Sequence, residues 1–130
     1  MTLSQVHAQL GDTATLFIGI LAVWALVLRI RRRELDAAWF GAAVIGELLI
    51  LAQGLLGGYL YTVGMSAQLT RPLIHILYGI ISVITLPAAY GYFGHLEDEQ
   101  AKSLAMALTC AFLWGILQRA AYVAHTLGIL

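Results

Sequence analysis

The sequence predicts an all-α membrane protein, a bundle of four transmembrane helices in up-down order. Of the 130 residues, 61% are hydrophobic and only 11% are charged, and the mean hydropathy is +0.86. Soluble domains carry about 25% charged residues. A helix needs about 20 apolar residues to cross a bilayer, and four segments meet that length: 13–30, 37–63, 72–93 and 103–129. Because only short connections separate these segments, we expect residues 1–130 to form a single domain.

An arginine cluster at the end of the first segment predicts the orientation. The cluster consists of Arg29, Arg31, Arg32 and Arg33. Short loops rich in Lys and Arg stay on the cytoplasmic side of a membrane. We therefore expect the N-terminus and the C-terminus both outside, and the connection 94–102 inside. The basic residues follow the first apolar run instead of preceding it, so we do not expect a cleavable signal peptide.

Charge and cysteine content exclude a basic surface for nucleic acid and an internal disulfide. The formal net charge is zero and the pI is about 6.9, which provides no basic surface for nucleic acid. Cys110 is the single cysteine, so no internal disulfide can form. We expect Cys110 to act as a small buried apolar residue.

The helix ends carry recognisable start signals. We expect the first helix to begin before its apolar run, with Ser4 as the N-cap of the turn that contains His7. Pro72 suits the first turn of the third helix. Pro87 lies inside that helix and frees the carbonyl group of Val83, which predicts a kink, with nearby hydroxyl groups bonding the freed backbone.

Two histidines near the starts of the first and third helices have the same spacing to a glycine. His7 is followed by Gly11 in HAQLG, and His75 by Gly79 in HILYG. Both helices run in the same direction, so they stand diagonally across an up-down bundle. A helix N-terminus disfavours protonation of imidazole, which leaves a lone pair for iron, and each glycine lets a flat macrocycle approach the backbone. The spacing fits a haem between the two histidines and fits packing histidines without metal equally well.

The fourth helix supplies a rival ligand, His125. Its polar face contains Gln118, Tyr122 and His125, with Arg119 on the flank. If His125 replaced His7, these polar side chains would contact a haem held between the third and fourth helices. Tyr78 lies on the same face of the third helix as His75. His95, the remaining histidine, lies in the inner connection and therefore at the wrong depth.

Two charged residues inside the apolar segments need partners. A charged side chain at a helix centre costs about 2.5–3.5 kcal/mol on insertion scales, so Glu47 should face the bundle interior. We favour a protonated carboxyl group that is hydrogen-bonded to a neighbouring helix over a proton relay or a quinone contact. Arg119 could reach Gln53, a bound anion or a carboxylate.

Three segments of the chain resemble a known family. VHAQLGDTATLFIGILAVWALVLRIRRR resembles the ligand-bearing helix of the haem A synthase family, and LAQGLLGGYLYTVG is similar to its glycine-rich helix. RPLIHILYGIISV is similar to the helix that carries the second axial histidine. The resemblance covers three of the four helices. It implies that His7 and His75 correspond to the axial pair in one half of a duplicated fold.

The departures from that family concern activity. The family's catalytic helix carries Glu-x-x-His-Arg, whereas Ser4, His7 and Ala8 stand at the three positions here. The carboxylate is therefore absent, and the chain has half the family's length, so a second haem-binding half requires association of two copies. The resemblance implies a haem-binding bundle and does not imply haem A synthesis.

These observations predict a b-type cytochrome or cytochrome-like subunit in a bacterial or archaeal cytoplasmic membrane. His7 and His75 would hold haem b near the outer face with six-coordinate iron, which favours electron transfer over oxygen chemistry. We do not expect the chain to be an enzyme by itself. The expected partners are the lipid bilayer, a second copy or a larger membrane complex, and a quinone or another redox partner.

The alternative belongs to another class of protein. It is a cofactor-free accessory or assembly subunit of a larger respiratory, photosynthetic or transport complex. The small size, the near absence of extramembrane domains and the glycine-rich helix faces favour it.

Overall fold

A computed structural model describes residues 2–64 and 72–125, with the side chains of the last two residues of that range left out. No β-strand occurs in these ranges, and each helix is long and apolar enough to cross a membrane. The all-α membrane fold class is therefore confirmed. The helices are α1 (Leu3–Ile30), α2 (Ala37–Thr62), α3 (Pro72–Phe93) and α4 (Glu99–His125).

The four helices form a bundle in which sequence neighbours are also neighbours in space. α1 packs against α2 and α4, while α3 packs against α4 and more lightly against α2. The helices α1 and α3 therefore stand diagonally, as the sequence predicted. We call the end of the bundle that carries the connections 31–36 and 94–98 the arginine end. The opposite end, which carries His7 and His75, is called the histidine end.

The core is apolar and centres on α1, α2 and α4. Trp39 is fully buried, and its indole Nε1 donates a hydrogen bond to the carbonyl oxygen of Leu21 at 3.1 Å, which joins α2 to α1. Cys110 is also fully buried with a free thiol, as expected. Other buried side chains in this core are Ala14, Ile18, Ala25, Ile50, Met106 and Leu113.

The outward faces are apolar as well. Leu16, Leu55 and Leu73 are 66%, 76% and 79% exposed, respectively. Exposed apolar surface on this scale is unfavourable in water. It is compatible with a lipid bilayer around the bundle.

Two helix starts differ from the sequence-based expectation. Thr2 and not Ser4 is the N-cap of α1: its hydroxyl group accepts from the Gln5 amide at 3.2 Å, and the Gln5 side chain accepts from the Thr2 amide at 3.0 Å. This reciprocal pair is a capping box. The helix α4 begins at Glu99, four residues before the apolar segment, because the carboxylate of Asp98 accepts from the Gln100 amide at 3.0 Å.

The third helix continues through Pro87 to Phe93. The hydroxyl group of Ser82 donates to the carbonyl oxygen of Gly79 at 2.7 Å, and that of Thr85 donates to Ile81 at 2.6 Å. Neither hydroxyl group therefore bonds the carbonyl oxygen of Val83, which Pro87 leaves without its helical partner.

Candidate functional site

The structure brings His7 and His75 together at the centre of the histidine end. Their ring centroids are 6.2 Å apart, and the ring planes are inclined by 79°. Because α1 and α3 are diagonal partners, this contact crosses the middle of the bundle. Among the histidines whose side chains the structure describes, His7 and His75 are the pair in ring contact.

The second contact of His75 sets its protonation pattern. Its Nδ1 lies 2.8 Å from the carbonyl oxygen of Ala120 on α4. A carbonyl oxygen only accepts hydrogen bonds, so Nδ1 must carry the proton and donate. In the neutral ring, Nε2 is then the nitrogen with a free lone pair. The fold therefore fixes which nitrogen of His75 is available to a metal ion.

The helix α2 contributes its backbone to the same centre. A Cβ atom placed on Gly57 would lie 2.9 Å from Cε1 of His7. Real Cβ contacts essentially never come this close, so the imidazole of His7 packs directly on the backbone of α2. All four helices thus meet at the histidine pair, through His7, Gly57, His75 and Ala120.

The two His-x-x-x-Gly units have different surroundings in the fold. A Cβ atom on Gly11 would lie 2.7 Å from the amide nitrogen of Gln53, so this side chain of α2 fills the space beside Gly11. A Cβ atom on Gly79 would meet nothing within 4 Å. The carbonyl oxygen of the Gln53 side chain is buried and has no hydrogen-bond partner among the described residues.

Two of the predicted polar residues of α4 face outward. Gln118 and Arg119 are exposed, and the guanidinium carbon of Arg119 lies 5.1 Å from the ring centroid of Tyr122, which is partly buried. Their face points outward because the neighbouring apolar face, which includes Leu113 and Leu117, is buried in the core. The expected contact of Arg119 with Gln53 is not made.

Tyr78 and His125 are the remaining residues that the sequence placed at the haem site. Tyr78 is partly buried on α3, one turn from His75. His125 ends α4, but its side chain lies outside the described residues, so the rival ligand pair stays a prediction. His95 is exposed at the arginine end, as expected.

Glu47 is a second polar site, deeper in α2. The side chain is partly exposed, yet both carboxyl oxygens are buried, and neither has a hydrogen-bond partner within the described ranges. The expected bond to a neighbouring helix is therefore absent from this part of the structure. The residue before it, Gly46, packs against Ile18 of α1, where an added Cβ would lie 3.0 Å from the Ile18 side chain.

Sequence reasoning missed two contributors to the histidine centre. Gly57 stands among several glycines of α2, and only its contact with His7 distinguishes it. Ala120 contributes a backbone carbonyl group, for which the side-chain pattern contains no signal. Both contacts depend on how the helices are rotated against each other.

The described part of the chain offers few ligands to a bare metal ion. Across residues 2–64 and 72–123, whose side chains the structure describes, no group of three or more His, Cys, Asp or Glu side chains could hold one. The histidine pair offers two imidazoles. Comparisons with protein-family models, with curated proteins and with solved structures find no match.

Proposed function

We propose that this protein is an integral-membrane b-type haem-binding protein, with His7 and His75 as the axial ligands. The observation that carries the proposal is the 6.2 Å separation of the two ring centroids. Two imidazoles that bind one metal ion through nitrogens at about 2.0–2.1 Å have centroids about 6 Å apart. The same separation occurs in a direct edge-to-face contact, so a spectroscopic test is needed to distinguish them.

The number of ligands supports haem over a bare ion. A haem macrocycle supplies four nitrogens itself, so two protein ligands complete the iron. When bound, haem would supply a one-electron redox centre whose two axial positions are both taken, a state suited to electron transfer.

The hydrogen bond from His75 to Ala120 gives further support. Histidines that bind metals usually donate their other ring N–H to a carbonyl group or a carboxylate, which orients the ring and raises its basicity. His75 has this arrangement with the carbonyl oxygen of Ala120. Gly57 lets the backbone of α2 approach the ring of His7, and Gln53 is the polar side chain beside Gly11.

The redox role and location follow from this proposal. With the arginine end on the cytoplasmic side, the histidine end lies near the outer face of a bacterial or archaeal cytoplasmic membrane. The histidine pair would then hold the haem where a quinone or a protein partner could exchange electrons with it. The chain would work as an assembly of two copies or inside a larger complex. We do not assign it haem A synthase activity.

Reduced-minus-oxidised spectra of the purified protein, produced with a haem supply, test the proposal. We expect a low-spin b-type spectrum in the wild type, and its loss in His7→Ala and in His75→Ala, because each leaves an open axial position. His95→Ala is the matched control and should keep the spectrum, and His125→Ala should only shift it. A His7→Gly variant supplied with free imidazole should regain the spectrum if His7 is a ligand.

Two outcomes would contradict the assignment. A wild-type protein without haem absorbance would rule out the function. Loss of haem in His125→Ala but not in His7→Ala would move the site to α3 and α4.

The second candidate function is a cofactor-free accessory subunit. The observation that favours it is that His75 joins α3 to α1 by ring contact and to α4 by its hydrogen bond, so the side chain itself holds helices together. In this case His75→Ala should reduce assembly of the host complex, and the wild type should show no haem spectrum.

A further inference from the structure

A charged groove lies at the arginine end, far from the histidine pair. It runs between the α1–α2 and α3–α4 connections and has a volume of about 650 Å³. This size falls within the range of small-molecule sites, about 300–1,000 Å³. We call it the loop groove, and its lining residues are Arg32, Arg33, Glu34, Asp98, Glu99 and Gln100.

One hydrogen bond joins the two sides of the loop groove, and a helix cap orders one of them. The guanidinium group of Arg29, at the end of α1, donates a hydrogen bond to the carbonyl oxygen of Gln100 on α4. The carboxylate of Asp98 accepts from the amide of Gln100 at 3.0 Å. The groove is therefore braced by the fold and is not a gap between two independent loops.

Arg32 occupies a backbone position that favours glycine. Its φ is +57°. The amide of Arg33 donates to the carbonyl oxygen of Leu28 at 2.8 Å, and the amide of Arg32 donates to that of Arg29 at 3.0 Å. This pair of bonds is the Schellman motif that ends helices, in which the left-handed residue is usually glycine. An arginine here accepts backbone strain while placing a guanidinium group in the groove.

The opposite charges in the loop groove do not pair with one another. In the part of the chain that the structure describes, the ion pair is Lys102 with Glu99 at 3.4 Å, within α4. The two arginines therefore keep their guanidinium groups available to a ligand, as Glu34 keeps its carboxylate. One oxygen of Asp98 is likewise not used by the helix cap.

We propose that the loop groove binds the headgroup of phosphatidylethanolamine. Guanidinium groups bind phosphate through paired hydrogen bonds, so Arg32 and Arg33 take the phosphodiester. A primary ammonium group donates three hydrogen bonds, which suits the carboxylates of Glu34 and Asp98, whereas Glu99 is paired with Lys102. The helix ends that frame the groove lie at the membrane surface, where such headgroups are concentrated.

The same chemistry separates this lipid from the other common ones. Phosphatidylglycerol has the phosphate but no ammonium group, so it leaves the carboxylates of Glu34 and Asp98 without a cation. Phosphatidylcholine has a quaternary ammonium group that cannot donate hydrogen bonds. Free phosphoethanolamine shares the headgroup chemistry but has no acyl chains to place it at the bilayer surface.

Native mass spectrometry of the delipidated full-length protein tests the proposal, with each of the three lipids added separately. We expect phosphatidylethanolamine to bind at least about tenfold more tightly than the other two, the size of one charge-assisted hydrogen bond. Soluble phosphoethanolamine, added alone, should bind weakly. Equal binding of all three lipids would overturn the proposal, and so would tight binding of soluble phosphoethanolamine without binding of the lipid.

The variants use Arg31 as the matched control, because it belongs to the same cluster but does not line the groove. Arg32→Gln should remove the preference for phosphatidylethanolamine, while Arg31→Gln should keep it. Arg32→Gly should also remove it without loss of thermal stability, because glycine relieves the left-handed backbone. Glu34→Gln should weaken the discrimination against phosphatidylglycerol. Retention of the preference in both Arg32 variants would overturn the assignment.

Discussion

Gly57 shows how a single residue determines the geometry of the histidine centre. Its missing side chain lets α2 approach His7, so that the ring lies against the backbone. Gly58, the next residue, is exposed and has nothing within 4 Å of the position that a Cβ would take. Two adjacent glycines thus have different roles, one in a contact between helices and one on the outer surface.

This difference predicts opposite effects of the same substitution. Gly57→Ala should destabilise the protein by about 1–3 kcal/mol, because the added methyl group must displace the imidazole of His7. Gly58→Ala should be neutral or slightly stabilising, since alanine favours a helix over glycine. Thermal unfolding in detergent would measure both variants. Equal effects would contradict the packing of His7 on α2.

At the scale of the element, the first turn of α1 positions His7. This turn lies outside the apolar run and depends on the capping box between Thr2 and Gln5. Ser4 lies inside the turn, is exposed, and is not the cap. The end of the helix that presents a candidate ligand is therefore held by a polar pair.

Replacing the cap should loosen this turn. Thr2→Ala should cost about 1 kcal/mol of local helix stability, because an N-cap hydroxyl group satisfies a backbone amide at the helix start. We expect faster hydrogen exchange at the amides of the first turn of α1. Ser4→Ala is the control and should leave exchange unchanged. Faster exchange in Ser4→Ala than in Thr2→Ala would contradict the assigned cap.

At the scale of the whole molecule, the two candidate sites lie at opposite ends of the bundle. The helix α3 has 22 residues, so it spans about 33 Å between them. The test of the loop groove and the test of the histidine pair are therefore independent. If the test of one site fails, the proposal for the other site is not affected.

The proposed orientation can be tested by thiol labelling. Cys110 is fully buried, so the native protein should not react with a membrane-impermeant maleimide. On intact cells, Ser4→Cys should be labelled, and His95→Cys should be labelled only after permeabilisation, because positively charged loops stay inside. The reverse pattern would place the arginine end outside and contradict the orientation.

The sequence by itself determined the fold class and most helix ends. Long apolar runs must be helical in a bilayer, because every backbone polar group needs an internal partner there. The third helix was predicted with the bounds that it has, Pro72–Phe93, and the second ended within one residue of Thr62. The start of α1 was predicted two residues late, with Ser4 instead of Thr2 as the cap, and the start of α4 was missed because its cap, Asp98, lies outside the apolar run. The predicted end of α4, residue 129, lies outside the described residues.

Only the tertiary structure decided which residues surround the histidines. The diagonal placement of α1 and α3 predicted that His7 and His75 face each other, but the contacts with Gly57 and Ala120 depend on helix rotation. In a membrane bundle, lipid-facing and core-facing residues are both apolar, so the sequence pattern specifies this rotation weakly. Gln118 and Arg119 were considered as contacts of a haem beside His125, whereas the packing of Leu113 and Leu117 in the core leaves both side chains exposed.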